Sequence, residues 1–146
     1  MTSVSEHHRK LERMYLESAP INDFFDPEMT IEDGRATIEH TVTEKFFHAA
    51  GAAHGVTYFK ALDDAAFFAT NSLVEDVFVL TTQINFHLTR PVSEGTIRAV
   101  GEVVHEHPSQ YLAQAVLEDD SGNHLARATG TFVRSDIELT PEIGYE

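Results

Sequence analysis

The 146 residues carry ten Lys and Arg against twenty-four Asp and Glu, a formal charge of −14, with 42% apolar residues, ten phenylalanines and no cysteine. That composition excludes a disulfide scaffold, a thiolate nucleophile and a cysteine-based metal centre, and it argues against a disordered chain. A field this acidic opposes binding to a phosphate backbone, so no nucleic-acid partner is expected, although a small anion held by a local basic patch is compatible with it.

The length fits a single domain over residues 1–146 with a substantial core. No apolar run approaches the eighteen or so residues of a membrane span, and the start lacks a signal-like apolar stretch. A cytoplasmic protein without membrane contact is expected.

Residues 4–18, VSEHHRKLERMYLES, predict an N-terminal helix. Val4, Leu11, Met14 and Tyr15 recur at helical spacing, with His8 and Ser18 as further candidates, Ser3 or Ser5 stands near its start, and His7 and His8 read as belonging to a partly exposed face. Pro20 and NDFFDPE read as a loop or short turn. From Met29 the pattern alternates: Met29 and Ile31, a turn at Asp33-Gly34, then Ala36, Ile38, His40 and Val42. This predicts two strands and a turn, with one long bulged strand as the alternative. HAAGAAHG, at 48–55, is a glycine-dense loop.

A helix follows over HGVTYFKALDDAAFFATNS, residues 54–72. Phe59, Leu62, Ala66, Phe67 and Thr70 line one side, and Ala61, Ala65, Phe68 and Ala69 fill much of the rest. A surface helix needs only one apolar stripe, so this one is expected to be enclosed by a curved sheet. After it come four β segments, Val77 to Thr89, Gly95 to His105, Tyr111 to Glu118 and His124 to Arg134, expected to form an antiparallel meander. The tail from Asp136 is expected to be a polar surface extension. The fold class is α+β, an antiparallel sheet wrapped around a long central helix with an extra N-terminal helix. Its unpaired outer edge invites pairing with a second copy, so a homodimer or a dimer of dimers is expected.

The adjacent carboxylates Asp63 and Asp64 fall mid-helix. Asp63 shares the apolar face, so its pKa should rise and fit it as a general base or nucleophile. Asp64 points about 100° away and is placed to pair with Lys60 at i−4, in a structural or a surface-facing role. The unpaired N–H groups at His54-Gly55 form an oxyanion site reinforced by the helix dipole. Asp63 lies nine residues beyond His54, roughly 12–13 Å along a helix axis. One subunit is therefore expected to supply the polarising N–H and the other the carboxylate.

HGVTYFKALDDAAFFATNS is similar to the H-G-G-x-x-x-x-L-A-D segment of hotdog-fold acyl-CoA thioesterases, in particular their PaaI-like (phenylacetate-pathway-like) subfamily. The resemblance extends over about 29–134 and takes in TTQINFHLTRP, GTIRAVGEVV and ARATGTF. It implies hydrolysis of an acyl-CoA to free acid and coenzyme A, without a cofactor or metal. Asp63 matches the catalytic carboxylate, Gly55 the residue whose N–H polarises the thioester carbonyl, and His54 the histidine that shapes the loop.

Thr81 matches a Ser/Thr that orients water or carboxylate across the dimer interface, with Thr82 as the alternative register. His48 stands where the family often has Asn. Val56 replaces the second glycine and narrows the entrance, and A-L-D replaces L-A-D. Val56, Phe59, Phe67 and Thr82 are the expected substrate contacts. Arg90, Arg98, Arg127 and Arg134 are candidates for the coenzyme A phosphates.

Other chemistries fit less well. There is no H-E-x-x-H, G-x-S-x-G or phosphate-binding glycine motif, and His105-Glu106-His107 alternates across a strand. A non-catalytic acyl-CoA binder or a hydratase of the same architecture are the alternatives.

Overall fold

A computed structural model describes residues 4–146. Ser3 and the Val4 side chain, both assigned to the N-terminal helix from sequence, lie outside what it describes. The elements are helix α1 (Val4–Ser18), a single turn α2 (Asn22–Phe25), strands β1 (Glu28–Glu32) and β2 (Arg35–Thr41), helix α3 (Gly55–Asn71), and strands β3 (Val77–Leu88), β4 (Thr96–His107), β5 (Gln110–Glu118) and β6 (His124–Glu138). No helix among the described residues is long and apolar enough to cross a membrane.

The strands form one antiparallel sheet in the order β1-β2-β4-β5-β6-β3. β1 and β2 form a hairpin, with Glu32 opposite Arg35 and Gly34 at φ +73° in the turn. Asp-Gly favours that geometry, so two strands win over one bulged strand.

The expected four-strand meander is corrected. β4, β5 and β6 do run up and down, but β3 pairs with β6 and lies at the far edge. The physical reason is α3: the chain leaves its end at Asn71 and must cross to the open side of β6, because β2 already occupies the near side of β4.

The sheet curls around α3. Ala36, Ala99, Ala113, Ala115 and Ala128 point inward from the strands, facing a helix whose own Ala61, Ala65, Ala66 and Ala69 are buried. Small residues on both partners let the helix axis approach the sheet closely, and Phe132, Ile38, Ile97 and Leu117 fill the remaining core.

At the other end of α3, Asn71 is fully buried and fixes the turn into β3. Its amide donates to the Val74 and Val77 carbonyls and accepts from the Val79 N–H, at 3.0–3.1 Å. The Ser72 hydroxyl accepts from the Gly34 N–H at 2.8 Å, tying the β1–β2 turn to the helix end.

Two expectations about the termini are overturned. His7 and His8 are buried, at 0% and 5% exposure, because α1 lies against β1 and the C-terminal residues cover it. The His7 ring bridges Tyr145 Oη at 2.7 Å and the Asn71 carbonyl at 2.9 Å. Nor is the tail from Asp136 a surface extension. β6 continues to Glu138, a 3-10 turn follows at Pro141–Ile143, and Tyr145 is buried beneath α1.

Tyr145→Phe should therefore lower stability by about 1 kcal/mol, since it removes one buried hydrogen bond and leaves the packing volume intact. Urea denaturation measures the loss.

Candidate active site

His54 caps α3. Its backbone is extended (ψ 147°), and its Nδ1 accepts from the Val56 N–H at 2.9 Å. The His54 carbonyl takes the Thr57 N–H. The Gly55 N–H meets no acceptor among the described residues and stands at the positive end of the helix dipole. A methyl group at Gly55 would come within 3.3 Å of Leu88 Cδ1, so the amide is approached across a surface that a side chain would crowd.

Two turns further on, Asp63 lies in the wall of a cavity of about 710 Å³ enclosed by α1, α2, α3 and β3. Thr81 donates to Asp63 Oδ1 at 2.9 Å. Thr82 is the extra residue of a β-bulge: Thr81 pairs with Phe132, and Gln83 with the adjacent Thr131. The bulge turns Thr81 toward α3 while the Thr82 hydroxyl donates to the Thr131 carbonyl.

Burial raises the Asp63 pKa from its ordinary value to about 6. The neighbouring Asp64 charge pushes the same way, while the Thr81 hydrogen bond and Lys60 oppose it.

Asp64 is engaged differently. Its Oδ2 accepts from Lys60 Nζ and from Tyr15 Oη, both at 2.5 Å, and Lys60 also donates to Tyr15 Oη at 3.1 Å. The Lys60–Asp64 pairing is as expected from their spacing. Of the structural and surface-facing readings the structure takes the first, because α1 lays Tyr15 over the pair and all three line the cavity wall. Burial, then the Asp64 charge, raises the Tyr15 pKa, so its hydroxyl stays a donor. The two carboxylates are thus divided: Asp64 is paired with a buried ammonium, and Asp63 sits in the cavity wall with Thr81 on its Oδ1.

Of the sequence-derived site residues, Asp63, Thr81, Val56, Phe59 and Phe67 meet at this cavity. Thr81 reaches Asp63 of its own chain. Thr82 lies outside the cavity lining. His48 is exposed in a turn closed by the Phe47–Ala53 bridge, and its Nδ1 accepts from Ala50 N–H at 3.1 Å.

Arg98 and Arg134 are held by Glu39 and Asp76. Arg90 and Arg127 form no ion pair among the described residues. Sequence reasoning missed Tyr15 as a polar partner, because a tyrosine in a helical seam reads as core. It also missed Ile137 and Ile143 as cavity residues. Continued alternation past Arg134 was the available signal.

Thr81→Val should raise the Asp63 pKa further, since the lost hydrogen bond favours the ionised form. Any activity that needs the carboxylate then shows its acid limb at higher pH, with a loss of a few-fold at pH 6 that vanishes well above it. A pH–rate profile beside the wild type checks this.

Comparison with known proteins gives the same fold. The PaaI protein from the phenylacetic acid degradation operon of E. coli superposes with a TM-score of 0.84 at 19% identity, covering 94% of this chain and 99% of that one. A mutant thioesterase of Pseudomonas aeruginosa superposes with a TM-score of 0.77 at 18% identity, covering 88% and 94%. In sequence, a protein of Saccharolobus solfataricus that bears an esterase name is 26% identical over 103 residues, 70% of this chain and 69% of its own. The family model of the thioesterase superfamily matches residues 50–126, from the loop before His54 through β3, β4 and β5 into β6. The chain therefore belongs to the thioesterase superfamily and has its hotdog fold, α3 being the helix that the sheet encloses.

Proposed function

We propose that the protein hydrolyses an acyl-CoA thioester to the free acid and coenzyme A, with Asp63 as general base or nucleophile. The observation that carries this reading is a carboxylate without an ion-pair partner among the described residues, in a largely apolar cavity, held by Thr81, with a pKa raised to about 6. Such a group is ionised at neutral pH yet basic enough to take a proton from water or to attack a carbonyl.

The Gly55 N–H is the matching electrophile. It is eight residues from Asp63 on the same helix, about 12 Å along the axis, so the pair works between subunits related by a two-fold axis. The unpaired edge of β3 suits pairing with a second copy. One protomer's Gly55 N–H then receives the carbonyl oxygen as negative charge develops, a donor worth ~3 kcal/mol in the transition state. The partner's Asp63 takes a proton from the water that adds to the carbonyl carbon, or adds itself to give an acyl anhydride that water then cleaves. Collapse of the tetrahedral centre expels the thiolate of coenzyme A.

Arg90 and Arg127 lie near the N-terminal end of α3: Tyr58 donates to the Arg90 carbonyl, and Arg127 pairs across β3 with His87, next to Leu88. They are the cations for the coenzyme A phosphates.

The test is release of free thiol from a panel of short, aromatic and long-chain acyl-CoAs, wild type beside Asp63→Asn. Turnover confined to the wild type supports the reading. Saturable acyl-CoA binding with no wild-type turnover would reassign the protein as an acyl binder.

A further inference from the structure

The cavity beside Asp63 has a closure that the hydrolytic chemistry does not use. After β6, the chain leaves the sheet at the start of β3, where Glu138 pairs with Val77 and the Leu139 N–H donates to the Asp76 carbonyl at 3.1 Å. It then crosses to α1. There Tyr145 Oη meets His7 Nδ1 at 2.7 Å, and Arg13 Nε donates to the Glu146 carbonyl at 2.8 Å. Gly144 approaches Ser18 so closely that no side chain fits between them. Residues 139–145 are therefore fastened at both ends, to the β3 side and to the α1 side, and Ile143 with Ile137 enters the cavity wall beneath them.

The crossing falls at one end of the cavity. The Phe67 and Phe78 rings, on the last turns of α3 and the first residues of β3, meet at a tilt with centroids 5.0 Å apart. Met14, Ile137 and Ile143 complete that end. At the other end Val56 and Ile21 are 50% and 57% exposed and leave the way open. We propose that residues 139–145 are a strap that closes the inner end of the acyl cavity and sets the length of acyl group admitted, selecting chains whose distal end is hydrocarbon.

Among the described residues, the wall at the closed end, Met14, Phe67, Phe78, Ile137 and Ile143, offers no charge to an ω-carboxylate or amine. The charged groups of the wall other than Asp63, Lys60 and Asp64, bond to each other and to Tyr15. This inference rests on the reading of Asp63 as the hydrolytic group, because it takes the acyl chain to run inward from there.

Ile143→Ala and Ile143→Trp change the end wall in opposite directions at a half-buried position. Straight-chain acyl-CoAs of increasing length are assayed for thiol release, and their binding is measured by calorimetry in an Asp63→Asn background, where no turnover consumes them. Ile143→Ala should raise the long-to-short ratio of kcat/KM, and of binding, by about tenfold, and Ile143→Trp should lower it by a similar factor, as one or two methylenes in an apolar pocket imply. Ratios within twofold of the wild type in both variants, with their melting temperatures retained, would overturn the strap. A length shift in binding without any turnover keeps the strap and removes the hydrolytic reading. Neither turnover nor binding across the panel removes both.

Discussion

Asp63→Asn is expected to lower kcat for acyl-CoA hydrolysis ~10³-fold while leaving the fold intact. The amide keeps the volume of the carboxylate and can still accept from Thr81, so the cavity wall stays in place. What it loses is the ability to take a proton or to attack. The pH dependence follows from the same residue. Burial raises its pKa from 3.8 to about 6, so the wild-type kcat/KM should climb with pH through about 6 and level off above it, as the carboxylate form accumulates.

Stability runs the other way. The folded state binds this proton more tightly than the unfolded chain, so the favourable contribution is complete below the unfolded value and is lost as pH rises through the folded one. At pH 8 the wild type therefore carries an ionised, half-buried group that the Asn variant lacks. The variant should melt at the same temperature or higher. A variant that is inactive and also melts well below the wild type would point to a structural role for Asp63 instead.

The division between Asp63 and Asp64 shows how far residue spacing reaches into the site. Position on a helical wheel separates the two carboxylates and pairs Asp64 with Lys60 four residues earlier, because those relations are fixed by 3.6 residues per turn. Enclosure of α3 is equally legible, since a helix apolar on nearly every side must be covered.

Tyr15, forty-five residues before Lys60, is a different case. Its hydroxyl reaches Asp64 only because α1 packs antiparallel to α3, with His7 beside Asn71 and Tyr15 beside Phe68. No local pattern encodes that crossing. The same limit applies to β3. Alternation finds the strand but not its neighbour, and a single bulged residue at Thr82 decides which threonine faces the carboxylate. The tail is hidden for a related reason: its polar composition reads as solvent-exposed, while a few apolar residues, among them Ile137, Ile143 and Tyr145, carry it onto α1 and the cavity.

Gly101 is where the enclosed helix and the sheet come closest, and Gly101→Ala should cost ~3 kcal/mol of folding stability. In most strand interiors the same change is favourable, because glycine weakens a strand and alanine restricts the unfolded chain. Here the sign reverses. A Cβ built at Gly101 falls well under 3.0 Å from the carbonyl carbon and oxygen of Ala65 and from the Ala66 amide nitrogen.

Those are backbone atoms in the middle of α3, so no side-chain rotamer can relieve the overlap. The helix must lift from the sheet, and the alanine layers on both sides, Ala65 and Ala66 against Ala99 and Ala113, lose contact together. Lifting α3 also moves Asp63 away from Thr81 on β3, since the carboxylate rides on the helix and the hydroxyl on the sheet edge. A fall in the urea midpoint should therefore be accompanied by loss of thiol release out of proportion to the fraction unfolded. An unchanged midpoint would mean that helix and sheet do not approach at Gly101 as closely as the fold requires.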